Sequence, residues 1–136
     1  MAVNNDPVFA KTPKHAATAV SAANTALDGS GTIAELLMAG PDGAIVTSLK
    51  AWATVTSTAK RLNLFVSIDG GASWKLHESG LMAAYGVGNT TVQTPASFVD
   101  KSNPDAAIML PANAKLGVTT MVAEAVVFTA EYADLS

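Results

Sequence analysis

Ser67-Ile68-Asp69-Gly70-Gly71-Ala72-Ser73-Trp74 is the stretch with the tightest local pattern in this chain. Before it, residues 61–69 alternate between apolar and more polar side chains, the period of two that is typical of a half-buried strand. The paired glycines tolerate the positive φ that a tight reversal needs, and the alternation resumes in residues 74–77. The pattern predicts a β-hairpin over residues 60–82.

The same stretch resembles the Asp-box of sialidases and related propeller repeats, Ser-x-Asp-x-Gly-x-Thr-Trp, with Ser73 where threonine is usual. In that family the box is a folded turn and has no catalytic role. The residue types in this stretch also favour a structural role for it, because Asp69 can accept hydrogen bonds from N–H groups of the turn. Gly70 and Gly71 allow the reversal, and Trp74 is expected to pack under it.

The composition indicates one globular domain with a surface suited to contacts. The chain has 136 residues, enough for one hydrophobic core. Charged residues make up 14% of it, well below the roughly 25% that is typical of soluble proteins. The remaining surface must consist of small neutral residues, which suit burial against neighbours. We therefore expect an oligomer or assembly component rather than a small neutral monomer.

Several classes of function are not expected. The net charge is −3 and the eight cationic side chains are scattered, with a single arginine, so no nucleic-acid partner is predicted. Without cysteine the chain has no disulfide, thiol nucleophile or cysteine-based zinc site. No run approaches the roughly eighteen apolar residues of a membrane-spanning helix, and no Sec-type signal is visible. We expect a soluble protein with no membrane partner.

Residues 1–14 differ from the rest of the chain. They contain Pro7 and Pro13, and their only bulky apolar pair is Val8 and Phe9. Proline restricts its own φ and biases the preceding residue toward extended geometry, so these residues are predicted to form an extended N-terminal arm. The arm is either a frayed terminus or a segment that lies across a neighbouring subunit. The domain itself is assigned to residues 15–136.

Short strands bounded by turn signals account for the domain. The clearer candidates outside the hairpin are residues 32–39, 44–56, 90–93 together with 96–99, 107–110 and 115–120. Pro95 indicates that the segment around it is an edge strand or a bent strand. Residues 15–27 and 121–135 are ambiguous between helix and strand, and we favour a strand in both, at 16–23 in the first. About eight strands predict an all-β, single-domain antiparallel β-sandwich of jelly-roll type.

Two aromatic residues outside the hairpin are predicted to lie away from the core. In residues 44–56 the alternation places Ile45, Leu49, Ala51 and Val55 on the core face. It places Val46, Ser48, Lys50, Trp52 and Thr54 on the less apolar face. Trp52 is therefore either covered by a loop or placed at an interface. Tyr85 lies in a glycine-broken segment that is predicted to be a loop with some apolar contacts.

The histidines and serines do not form a recognisable catalytic or metal-binding pattern. His15 and His77 have no acidic residue at the spacing of a zinc ligand. No nucleophile elbow of the type G-x-S-x-G is present, and Ser67 and Ser73 are better explained as turn formers. We predict no metal and no cofactor.

The carboxylates do not predict catalysis either. Asp69 and Glu78 could face each other across the hairpin, but Asp69 is committed to the turn. Glu124 and Glu131 are predicted to lie on opposite faces of a strand, so a glycosidase pair is not expected. A sialidase would need a propeller and a cluster of arginines, and this chain has one Asp-box and one arginine. We predict that the protein is not an enzyme.

In the order of its predicted strands and turns, the chain resembles the small β-sandwich virion proteins of tailed bacteriophages. The segments that carry the resemblance are Pro-Val-Phe-Ala-Lys-Thr-Pro-Lys (7–14), Asp-Gly-Ser-Gly-Thr-Ile (28–33), Leu-Phe-Val-Ser-Ile-Asp-Gly-Gly (64–71) and Leu-Pro-Ala-Asn-Ala-Lys-Leu-Gly-Val-Thr-Thr (110–120). The most similar group is the capsid decoration (cement) proteins. The resemblance implies a homotrimer on the capsid exterior, made in the host cytoplasm, that binds the major capsid protein or other virion proteins.

Val8, Phe9, Trp52 and Tyr85 are the candidate partner-binding residues, because each is bulky and lies outside an obvious core face. A phage tail or baseplate component is a close alternative. A carbohydrate-binding β-sandwich module is the alternative from another class, with Trp52, Trp74 and Tyr85 as the aromatic platform.

Overall fold

The structure is a computed structural model that describes residues 12–99 and 107–135. In these ranges the chain forms strands and no helix, as predicted. The strands are β1 (Thr12–Val20), β2 (Ala34–Met38), β3 (Ala44–Ala53), β4 (Lys60–Ser67), β5 (Lys75–Met82), β6 (Ala96–Val99), β7 (Ile108–Leu110), β8 (Lys115–Thr120) and β9 (Val126–Asp134). The first sheet has the order β1-β9-β3-β6, with β7 also paired to β3, and the second has the order β2-β8-β4-β5.

The strand pairing is nested, and it confirms the jelly-roll prediction. The outermost pair is β1 with β9, followed inward by β2 with β8, β3 with β6 and β7, and β4 with β5. All of these pairs are antiparallel, so the chain is one long hairpin that is wound into two facing sheets. The turn at residues 67–74 is the tip of that hairpin.

Both ambiguous segments are strands, and they pair with each other. β1 and β9 keep an unbroken register from Thr12 with Asp134 to Val20 with Val126. β9 then lies between β1 and β3, a position that suits its β-branched and aromatic residues. The predicted boundary of the arm is wrong by three residues, because 12–14 belong to β1. The rest of the arm, including Val8 and Phe9, lies outside the described residues.

The core lies between the two sheets. A β-bulge in β3 makes part of the predicted core face of that strand wrong. In β3 the pairing with β9 shifts between Val46 and Ser48. The core-facing side chains therefore change there from even-numbered to odd-numbered residues. Val46 faces the core before the shift, and Leu49 and Ala51 face it afterwards. Ile45, predicted to face inward, is half-buried on the outer side. Trp52 lies on the outer side as predicted, because Ala51 and Ala53 are in the core.

β6 is at the edge of the first sheet, as the proline before it predicted. The residues ahead of that proline form no strand. Instead, the side-chain amide of Gln93 takes the place of a strand neighbour for Ala53. Its Oε1 accepts from the Ala53 N–H at 2.8 Å, and its Nε2 donates to the Ala53 carbonyl at 2.7 Å.

Candidate contact surfaces

The turn at residues 67–74 is held by its own side chains. Asp69 Oδ1 accepts from the Ser73 N–H at 2.9 Å and from the Ser67 hydroxyl at 2.7 Å, and Oδ2 accepts from the Ser73 hydroxyl. The Ser67 oxygen also accepts from the Gly71 N–H at 2.9 Å. Gly70 and Gly71 have φ of 77° and 93°, the left-handed region in which glycine avoids steric strain. The predicted structural role of the turn matches this geometry.

The hydrogen bonds of this turn stabilise the ionised form of Asp69. The Ser73 hydroxyl, the Ser73 N–H and the Ser67 hydroxyl lower the pKa of Asp69 from 3.8 to about 2. A carboxyl group with a lowered pKa adds stability above its unfolded pKa and loses it as the pH falls through the folded value. The contribution of Asp69 should therefore disappear between pH 3.8 and about 2.

We expect Asp69→Asn to unfold at a lower temperature than the wild type at neutral pH and at nearly the same temperature near pH 2. Asparagine keeps the size of the side chain but lacks the charge that these donors stabilise. Thermal unfolding followed by circular dichroism from pH 2 to pH 7 measures the difference between the two proteins. A difference that does not change with pH would contradict the assignment. An Asp69 variant that folds normally but loses all partner binding would show that the turn itself is a contact site.

Trp74 belongs to a second, smaller core on the outer face of the second sheet. Phe65 is completely buried yet is not part of the main core, because it points to this outer face opposite Gly117 of β8. A Cβ atom at Gly117 would lie 2.9 Å from the Trp74 ring and 2.5 Å from Ile33. The indole and Ile33 therefore cover the glycine.

Trp52 lies on the opposite side of the molecule, on the outer face of the first sheet. It is half-buried, and the outward side chains of β1 and β9 form a shallow groove next to it. Trp52 and Trp74 therefore belong to different faces of the sandwich, so the predicted three-aromatic platform for sugars does not form. Of the two alternatives for Trp52, the described residues favour a position on an open face rather than under a loop.

Tyr85 lies in the connection between β5 and β6. Its backbone pairs with Ser57, with N–O distances of 2.8 and 3.0 Å, and its ring packs against the edge of the core. The hydroxyl donates a long hydrogen bond of 3.5 Å to the Thr91 carbonyl. Tyr85 is thus half-buried and part of the loop structure. The structure does not bring it together with Trp52 or Trp74 on one surface.

The exposed apolar residues draw attention to β5, which the sequence did not single out as a contact site. This strand forms an edge of the second sheet, and six of its eight residues are exposed. Leu81 is 76% exposed and Leu76 is 38% exposed. They lie opposite Arg61 and Phe65, so both side chains are on the outer face. An open edge with exposed leucines is a typical place for contact with another protein.

A polar network lies beside this edge on the same face of the second sheet. Arg61 Nη2 donates to the Ser79 hydroxyl at 2.7 Å, and that hydroxyl donates to Asn63 Oδ1 at 2.7 Å. Asn63 is completely buried, although it falls at a polar position of the alternating strand. Arg61 Nε, Asn63 Nδ2 and Thr119 Oγ1 are buried without a hydrogen-bond partner among the described residues. The alternation in residues 61–67 placed Asn63 on the outer face but did not indicate its burial.

The two glutamates that the sequence offered as a carboxylate pair take part in separate contacts. Within residues 12–99 and 107–135, no three histidine or acidic residues form a group that could hold a metal ion. Glu124 accepts from the Thr58 hydroxyl at 2.7 Å and from the Thr58 N–H at 3.0 Å, and its Oε1 lies 3.4 Å from Lys60 Nζ. These contacts lower the pKa of Glu124, with the Thr58 hydroxyl as the largest cause. Glu131 instead lies near His15, with 3.9 Å between Oε1 and Nε2.

Comparison with known proteins adds little to this description. No protein-family model matches the chain, and no curated protein matches it. Among solved structures, the Eiger TNF of S. frugiperda is similar over 92% of this chain and 94% of that chain, with 9% sequence identity and a TM-score of 0.46. The jelly-roll assignment therefore rests on the strand pairing. No helix in the described part of the chain could span a membrane.

Proposed function

We propose that this protein is a structural virion protein that decorates and stabilises the capsid of a tailed bacteriophage through symmetric protein–protein contacts. It is made in the host cytoplasm and assembles as a homotrimer on the capsid exterior, where it binds the major capsid protein or another virion protein. The observation that carries the proposal is the open edge at β5, with Leu76 and Leu81 exposed next to it.

The character of this edge suits assembly. Unpaired edge strands expose backbone donors and acceptors, and soluble monomers protect them with charges, bulges or covering segments. β5 has a bulge near His77 and the charged residues Lys75 and Glu78, but it also carries two exposed leucines. The hairpin tip adds Ile68, which is 76% exposed. Together these residues form an apolar border on a protein with only 14% charged residues.

A decoration protein needs many modest contacts that symmetry repeats. Each contact is weak alone, but repetition over a particle raises the overall affinity without a deep pocket. A jelly roll with few charged side chains and an apolar edge at β5 meets this requirement. The role requires no catalytic centre and no cofactor.

We expect Leu81→Glu to convert the trimer to monomer and to abolish binding to expanded capsids. A charge at this position would have to be buried without a partner when the edge associates. Met109→Glu is the matched control, because Met109 is 63% exposed on β7 of the first sheet, whereas β5 belongs to the second sheet. Size-exclusion chromatography with light scattering reports the oligomeric state, and co-sedimentation with capsids reports binding.

Two outcomes would count against the proposal. If the wild-type protein is a monomer that does not bind capsids, the decoration role is wrong. If both glutamate variants behave like the wild type, the contact lies elsewhere on the surface. Electron microscopy of the parent particle separates the capsid from the tail or baseplate, which is the closest alternative location.

A further inference from the structure

The outer face of the first sheet contains a groove that the proposed assembly role does not use. It has a volume of about 240 Å³ and crosses β1, β9 and β3. The strand register orders its side chains in rows. Trp52 stands level with Val127 at one end, and the next row contains Lys50, Thr129 and Ala17. Thr129 and Ala130 line the groove between the indole and its other end.

The other end of the groove is polar. One row beyond Lys50, the register brings together Ser48, Glu131 and His15. Successive outward residues on a strand are about 6.7 Å apart, so roughly 13 Å separates this row from the Trp52 row. The groove therefore offers an aromatic surface at one end and hydrogen-bonding side chains at the other.

We propose that this groove binds a short oligosaccharide of neutral hexopyranose units. A pyranose ring has a face of C–H groups, which packs on an indole, and a rim of hydroxyl groups, each of which donates and accepts hydrogen bonds. Trp52 supplies the aromatic surface. Lys50 supplies a donor, and the carboxylate of Glu131 supplies an acceptor.

The charges in the groove favour a neutral ligand. Lys50 lines the groove opposite Thr129, and its ammonium group can donate a hydrogen bond to a ligand hydroxyl. Glu131 adds a carboxylate to the same groove, so the charges of Lys50 and Glu131 offset each other and give no net attraction for an acidic sugar. The groove is shallow and smaller than a typical drug-binding pocket, so the expected affinity is in the millimolar range.

This binding site is independent of the β5 contact, because Trp52 is in the first sheet and β5 is in the second. The two tryptophans make a direct test possible in the wild-type protein. Their indole N–H groups give two signals in a proton–nitrogen correlation spectrum, and Trp52→Phe identifies which signal is which. Trp74, on the opposite face, is then the internal reference.

The 136-residue protein is titrated with cellohexaose, maltohexaose, mannohexaose and chitohexaose, with hexagalacturonate as the acidic comparison. We expect at least one neutral oligosaccharide to shift the Trp52 signal and leave Trp74 unchanged. Trp52→Ala should weaken this binding about tenfold or more. Lys50→Ala should weaken it less, and Leu81→Glu should leave it intact because it alters only the β5 edge.

Three results would overturn the proposal. The first is a Trp52 signal that none of the neutral oligosaccharides moves. The second is preferential binding of hexagalacturonate. The third is a Trp52 signal that responds to protein concentration rather than to sugar, which would mean that a second copy of the chain covers the groove. The first two results do not bear on trimer formation through β5, which light scattering of the Leu81→Glu protein tests separately. The same measurement shows whether the third result reflects association at β5 or at the groove.

Discussion

Replacement of Phe128 by alanine is expected to lower the free energy of unfolding by about 3–5 kcal/mol, the usual cost of removing a buried aromatic side chain. Phe128 is completely buried in β9, between the neighbouring strands β1 and β3. Its ring centroid lies 6.3 Å from that of Phe98. The substitution therefore leaves a cavity in the middle of the first sheet and removes an aromatic contact with β6.

Urea denaturation followed by circular dichroism measures this loss. Met109→Ala is the matched control, because Met109 is an apolar strand residue that is 63% exposed on β7. Its effect should stay within about 0.5 kcal/mol of the wild type. Equal effects of the two substitutions would mean that the core is not centred between the two sheets as described.

The second large effect is expected for Gly117→Val, which should destabilise the protein by about 1–3 kcal/mol or more through overpacking. The first atom of any side chain at this position would lie 2.5 Å from Ile33 Cγ2 and 2.9 Å from the Trp74 ring. Gly117 is in β8 between two neighbouring strands, so its backbone cannot move away from these groups without breaking pairing with Phe65 or Glu35. The indole must be displaced instead.

The displacement has a signature that separates it from general destabilisation. Trp74 should become more exposed in Gly117→Val, and its fluorescence should shift toward longer wavelength while the protein is still folded. Gly86→Ala is the control, because no atom lies within 4 Å of a Cβ at that glycine. An unchanged Trp74 environment in a folded Gly117→Val protein would contradict the small core on the outer face of the second sheet.

The hairpin at residues 60–82 could be predicted because the interactions that form it join residues close together along the chain. Asp69 bonds to Ser67 and Ser73, and each partner is at most four positions away. Alternation over eight residues of β4 is likewise a property of neighbouring side chains. The strand assignment of residues 121–135 was also correct, although a helix fitted the apolar pattern, because β-branched residues dominate its centre.

The faces of individual strands were harder to predict when pairing interrupted the alternation. The β-bulge in β3 arises from its register with β9, about eighty residues later in the chain. The residue types around this shift do not indicate it, so the sequence analysis assigned Ile45 to the core face instead of the outer face. The burial of Asn63 is similar, because it depends on Ser79 and on residues of β8 rather than on its own segment.

The candidate sites could be predicted only in part. Trp52 was correctly placed on an outer face, but its groove needs Glu131 and His15, which the pairing of β1, β9 and β3 brings together. Trp52 and Trp74 were expected to share a surface in the carbohydrate-module alternative. β3 belongs to the first sheet and the β4–β5 hairpin to the second, so Trp52 and Trp74, which both lie outside the main core, are on opposite faces of the sandwich.

The sequence by itself determined the strand content of this protein and the structure of its central turn, because both follow from residues close together along the chain. Only the tertiary structure decided which sheet each strand joins, what covers Phe65 and Trp74, and that β5 is left as an open edge. The physical reason is that these features depend on antiparallel pairs that join distant parts of the chain, from β4 with β5 at the tip to β1 with β9 at the base. Residues 67–74 form the turn, and the nested pairing around them makes that turn the tip of the whole fold.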